Sequence, residues 1–138
     1  MGVVLDTSVL IAAERGAVRF AALLASLGEE SVAMAAITAS ELLHGCHRAG
    51  DPGVRARRAA FVDALLDALP VLPFGLPEAR RHAELWAELA RTGRVIGPHD
   101  LLIAATALAH GHTLVTLNQR EFNRVPGLRL VATEQYLS

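Results

Sequence analysis

The chain has 138 residues, enough for one domain with a buried core; 52% are hydrophobic, yet no apolar run reaches the roughly 18 residues of a membrane span. Its opening, Met1-Gly2-Val3-Val4-Leu5-Asp6, has no basic segment and meets an acid too early for a signal peptide, so the expected location is the cytoplasm. The 13 basic residues, all arginine, face 14 acidic ones for a net charge of −1, which leaves no globally basic surface, and the lone Cys46 excludes an internal disulfide or a cysteine-based zinc site.

Val3–Leu5 is a short apolar run ending at Asp6, the pattern of a buried parallel strand. Thr7 or Ser8 can cap a helix over Val9–Glu14, which Gly16 breaks. A second helical pattern covers Val18–Leu27 and stops at Gly28. Val32–Ile37 reads as a strand. Thr38 then caps a helix to about His47, before the turn signal Gly50-Asp51-Pro52-Gly53. Val54–Leu69 is amphipathic, with Phe61, Leu65, Leu66 and Leu69 opposite its arginines. Val71–Phe74 is framed as a short strand by Pro70 and Pro73. Pro77 opens a helix to about Arg91, and Pro98 opens another through Asp100–His110 with Gly111 as its stop. Thr113–Thr116 and Leu128–Val131 are the last strands. Strands alternate with helices, without repeat or linker. This predicts one domain over residues 1–138, an α/β sandwich with a mainly parallel central sheet.

Four polar positions stand where chemistry is expected. Asp6 follows a strand at the carboxyl edge of the sheet, where α/β folds place ligands. As a plain helix cap it would be redundant, because Thr7 and Ser8 can cap without it. Glu41 has a rival role: Thr38-Ala39-Ser40-Glu41 fits a capping box, which needs no metal. Asp100 stands in the first turn of a helix that is apolar nearly all round and must be buried, so its carboxylate is directed into a cleft. Asn118 follows a strand and also suits a turn, while Glu121, three residues on, can supply a carboxylate in its place. Together these form a hard, oxygen-rich set of the kind that holds Mg²⁺ or Mn²⁺. His44 and His99 lie close in sequence to Glu41 and Asp100; His82, His110 and His112 read as helix-surface or helix-end residues. The chain has no His-Glu-x-x-His, no Gly-x-Ser-x-Gly and no Walker loop. The arginines cluster at 55, 57 and 58, at 80 and 81, at 91 and 94, and at 120, 124 and 129.

The segments Leu5-Asp6-Thr7-Ser8-Val9-Leu10-Ile11, Ser40-Glu41-Leu42-Leu43-His44-Gly45, Ile96-Gly97-Pro98-His99-Asp100-Leu101-Leu102-Ile103-Ala104-Ala105 and Leu114-Val115-Thr116-Leu117-Asn118-Gln119-Arg120-Glu121-Phe122 follow one another almost end to end. In this order they resemble the PIN-domain ribonucleases, most closely the VapC toxins of toxin–antitoxin pairs. The resemblance implies a PIN-like α/β/α sandwich and metal-dependent hydrolysis of RNA. It implies that Asp6, Glu41 and Asp100 bind Mg²⁺ or Mn²⁺. Asn118 stands where the family often carries aspartate, with Glu121 just before Phe122. Thr7 or Ser8 would bond a ligand carboxylate or the scissile phosphate. A homodimer and a small VapB-like antitoxin that blocks the acidic site are also implied. Two other readings stay open: a PIN-like domain that binds RNA or a partner without cutting, and an α/β phosphatase. Against the phosphatase stand Ser8, where a second acid is usual, and the absence of lysine.

Overall fold

The computed structural model describes residues 2–138; Met1, counted in the expected domain, lies outside the described residues. The central strand is β1 (Gly2–Leu5), buried along its whole length. β2 (Ser31–Ala35) pairs on one side of it and β4 (Thr113–Val115) on the other, with β3 (Val71–Leu72) and β5 (Leu130–Val131) at the edges. All four strand pairings are parallel, and Val4 is matched with Ala33 and with Leu114.

Successive side chains of a strand point to opposite faces, and β1 divides the core accordingly. Val3 and Leu5 pack with residues of α1 (Thr7–Glu14), α2 (Phe20–Ser26), α3 (Ala36–Arg48) and α4 (Pro52–Ala68). Val4 packs with α5 (Leu76–Arg91), α6 (Pro98–Ala109) and α7 (Gln119–Phe122) on the other face. The fold is the expected α/β/α sandwich, with a sheet parallel throughout. α6 presses Ile103, Ala104, Ala105 and Ala107 fully into the core, as its apolar sequence requires. Pro98 occupies its first turn, and Gly111 at φ +66° lets the chain turn away into β4.

Several boundaries differ from the sequence reading. α1 begins at Thr7, directly after Asp6, rather than at Val9. β2 ends at Ala35 and α3 begins at Ala36, two residues before the expected cap Thr38. Thr38 is therefore inside the helix and completely buried. The capping box expected over Thr38–Glu41 does not form. The box geometry occurs instead at α5, where the Gly75 amide donates to Glu78 Oε1 at 2.8 Å. α4 starts at Pro52, capped by Asp51, whose Oδ2 accepts from the Val54 amide. β3 and β5 are shorter than expected, two residues each, and α7 is a single turn that no periodicity announced. His110 ends α6, as expected, and His112 follows closely; both are half-buried, with Nε2 of His110 and Nδ1 of His112 out of contact with solvent.

Candidate active site

The chain leaves β1 for β2 on one side and later returns as β4 on the other. The carboxyl ends of these strands therefore border a crevice at a switch point, the usual ligand position of a parallel sheet. Asp6 lies there because it is the first residue beyond β1, tied by its amide to the carbonyl of Val115 at 2.9 Å. It occupies the N-cap position of α1 without capping with its side chain. Its Oδ2 accepts from Ser8 Oγ at 2.6 Å and from Thr116 Oγ1 at 2.7 Å. The carboxyl is only 3% exposed. Burial raises its pKa above the ordinary aspartate value, against the pull of the Ser8 and Thr116 hydroxyls and the Thr7 amide.

Glu41 arrives from the second turn of α3, free of any capping duty. Thr7 Oγ1 donates to its Oε1 at 2.7 Å, and Thr7 is itself 3.0 Å from the hydroxyl of Thr38. Oε2 of Glu41 faces His99 Nδ1 at 3.2 Å. The early start of α3 makes this possible: it carries Thr38 inward as a prop for Thr7 and turns Glu41 toward the crevice.

Asp100, in the first turn of α6, and Glu121, in α7, complete the acidic group. They flank Gly97, where a Cβ would lie 3.7 Å from Asp100 Oδ2 and 3.7 Å from Glu121 Oε1. The Gly97 amide donates to Glu121 Oε1 at 2.7 Å, and Asn118 Nδ2 donates to Glu121 Oε2 at 2.7 Å. Those two donors, led by the Gly97 amide, hold Glu121 below the usual glutamate range. Asp100 is pushed up to about 7, first by burial and then by its hydrogen bond to Glu121 and the charges of Asp6, Glu121 and Glu41. The two candidates for the fourth corner thus have different places. Glu121 is the acid beside Asp100, and Asn118 is the amide that holds it.

Among the described residues, no three His, Cys, Asp or Glu side chains already close into a ligand cluster. Asp6, Glu41 and Glu121 each accept from protein donors instead, and Asp100 pairs with Glu121. The donors on offer are all oxygens, and no arginine forms an ion pair with any of the four acids among the described residues. The charges of Asp6, Glu121 and Glu41 add to burial in raising the pKa of Asp100, so the acids repel one another. A divalent cation fits such a set, because it relieves that repulsion and prefers hard oxygen ligands.

Sequence reasoning did not single out Thr116 or Gly97, and it read Thr38 only as a cap. A polar residue closing an apolar strand at the carboxyl edge was the available signal for Thr116. Gly97 gave none, since its role is a backbone amide. His44 lines the adjoining cavity with Thr7 and Glu41 but makes no bond to the acids.

Comparison with known proteins gives the site a context. A family model described as the PIN domain matches residues 3–128. The chain is 37% identical over 131 residues to a protein of Rickettsia felis named ribonuclease VapC1, covering 95% of this chain and 96% of that one. It is 35% identical over 105 residues to the tRNA(fMet)-specific endonuclease VapC of Salmonella typhimurium, covering 76% and 77% of the two chains. The fold superposes on a chain of the VapBC2 complex of Rickettsia felis, solved with a DNA fragment from its promoter, with a TM-score of 0.87 at 30% identity, covering 95% and 98% of the chains.

Proposed function

Because the chain belongs to the PIN-domain family, within its VapC ribonucleases, we propose that the crevice around Asp6, Glu41, Asp100 and Glu121 is the catalytic centre at which it hydrolyses RNA. The protein is a ribonuclease toxin of a toxin–antitoxin pair, and a VapB-like antitoxin is its partner. The reaction depends on a divalent cation, for which Mg²⁺ is our choice and Mn²⁺ the alternative. The observation that carries the proposal is the convergence of Asp6, Glu41, Asp100 and Glu121 at the carboxyl edge of the sheet, where burial and the neighbouring acids push the Asp100 carboxyl up to about 7.

Asp6 and Asp100 would hold the ion, with Glu41 either a third ligand or the group that orients the attacking water. When bound, the cation supplies charge to the phosphoryl oxygen and lowers the pKa of water. Ser8 and Thr116 fix the rotamer of Asp6, and Thr7 fixes that of Glu41. Asn118 and the Gly97 amide favour the ionised form of Glu121, while burial and the neighbouring acids favour a proton on Asp100, which would have to ionise to hold a cation.

We read residues 1–138 as one nuclease domain acting in the cytoplasm, and no helix among the described residues is long and apolar enough to cross a membrane. We also propose a homodimer. It is supported by an apolar groove of about 390 Å³ between α5 and α6, beside Trp86 and Val95, each 58% exposed.

The test is cleavage of a labelled RNA during titration with Mg²⁺, next to a filter-binding assay. Asp6→Asn should lower the rate about a hundredfold or more, the scale of several kcal/mol of lost charge stabilisation. Chelation should abolish cutting while leaving binding measurable. Undiminished cleavage by pure Asp6→Asn protein in EDTA would sink the proposal.

A further inference from the structure

The cavity beside Thr7, Glu41 and His99 extends well past the acids. It occupies about 480 Å³ along α1, α3 and α4 and reaches Arg15 and Arg48. Thr7 opens α1 and Arg15 follows its last residue, so the wall runs about 12 Å from one to the other. On α3, Glu41 and Arg48 stand seven residues apart, about 10 Å along the axis. One end of the groove is therefore acidic and the other cationic.

The arginines around that far end are of two kinds. Arg58 is engaged, with Nε 3.2 Å from Glu14 Oε1 and Nη1 donating to the Gly45 carbonyl. Arg55 donates to the carbonyls of Ala49 and His47. Arg15 and Arg48 are exposed and hold no side-chain hydrogen bond or ion pair among the described residues. Both sit at helix C-termini, where the helix dipole favours a cation without occupying its donors. They line a concave wall with their donors unspent.

Resting on the reading of the crevice as an RNA-cleaving centre, we infer that Arg15 and Arg48 bind phosphates of the RNA strand next to the scissile bond and seat the strand in this groove. A polyanion meets repulsion from the four acids everywhere except at the reacting phosphate. Its neighbouring phosphates need cations, and a chain of net charge −1 can supply them only locally. The span of about 10 Å matches roughly three stacked nucleotides at 3.4 Å each. Ile11 and Phe61 line the same cavity and give the bases an apolar surface.

The experiment measures binding of a short single-stranded RNA to the full chain in EDTA over a range of salt, then cleavage with Mg²⁺. In Arg15→Ala/Arg48→Ala the slope of log K against log salt should become less negative by about 1.4, roughly 0.7 for each lost phosphate contact. KM should rise roughly threefold to fivefold per arginine with kcat retained. Arg15→Lys/Arg48→Lys should restore the slope, since the charge is kept. An unchanged slope and KM in a double variant that still cleaves would overturn the inference and leave the catalytic proposal intact. The same holds if the double variant loses only its grip on the antitoxin, which would make the groove a peptide surface. Wild-type protein that cuts no RNA with Mg²⁺ would instead overturn the catalytic reading beneath it.

Discussion

Asp100 is under two demands at once. It opens a helix that must be buried, and it must offer a carboxylate to the crevice. Its carboxyl, pushed up to about 7, keeps a proton that the unfolded chain releases near the ordinary aspartate value of 3.8. Between those values the native state binds more protons than the unfolded state, so this group makes stability fall as pH rises from about 4 to 7. In EDTA at pH 7, Asp100→Asn should therefore be more stable than wild type. Solvent screening of the half-exposed carboxyl limits the gain to roughly 1 kcal/mol, about 3–6 °C in Tm. Thermal melts of both proteins at pH 5 and pH 7 check this: the difference should shrink at the lower pH, and no difference at pH 7 would refute it. Glu121 behaves oppositely, because the Gly97 amide and Asn118 stabilise its charge. Two neighbouring acids are thus separated into a proton holder and an anion, the first chiefly by burial and the second chiefly by the Gly97 amide.

At the scale of elements, α6 carries Asp100, and α5 is the helix that keeps α6 in place. Leu85 and Leu89 of α5 are essentially unexposed and share a core with Leu101, Ile103 and Ala104 of α6. Leu89→Ala should cost about 2–5 kcal/mol, visible as a lower denaturant midpoint at unchanged m-value, and a loss under 1 kcal/mol would refute this account of the packing. β1, β4 and α6 were legible in the sequence because burial on both faces leaves a continuous apolar run, and a helix apolar all round cannot sit at the surface. The start of α3 was not. Ala35-Ala36-Ile37 continues the apolar strand in composition, and Thr38 is a good cap in isolation. What decides the boundary is tertiary: Thr38 is needed inside, 3.0 Å from Thr7. α7 spans four residues, too few for a period to show, and β3 and β5 are edge strands of two residues. For the site, Asp6 and Asp100 could be chosen from local context, and Glu41, which also fitted a capping box, only with the family resemblance. The division of labour between Asn118 and Glu121 could not, because it rests on the distant Gly97 amide.

Across the whole molecule the two ends of the sheet titrate in opposite senses. At the end away from the acids, His112 lies over Gly2, where a Cβ would meet its Nε2 at 2.7 Å, so only glycine admits the ring. Its neighbour His110 stands 2.9 Å from Glu78 Oε2, with the two imidazoles 5.6 Å apart. Burial, then the charge of His110, lowers the pKa of His112 below the ordinary histidine value of 6.5. The unfolded chain takes up that proton first, so this group makes stability fall as pH drops below about 6.5. His112→Leu should flatten the acid limb of a stability–pH curve, measured by denaturant midpoints from pH 7 to pH 5; an unchanged slope would refute it. With Mg²⁺ at about ten times its dissociation constant, the opposing contribution of Asp100 should be replaced by a gain of roughly 1.4 kcal/mol.

The bond from Thr116 to Asp6 joins positions 110 residues apart, and Glu121 comes later still. A chain emerging from the ribosome has Asp6, Ser8, Thr7 and Glu41 early, but Asp6 lacks the Thr116 hydroxyl and Asp100 the Glu121 carboxyl until the last quarter of the chain is made. The proposed centre therefore predicts that unfinished copies of this toxin are inert. The time taken to complete the last quarter of the chain would then be time in which an antitoxin can already be waiting.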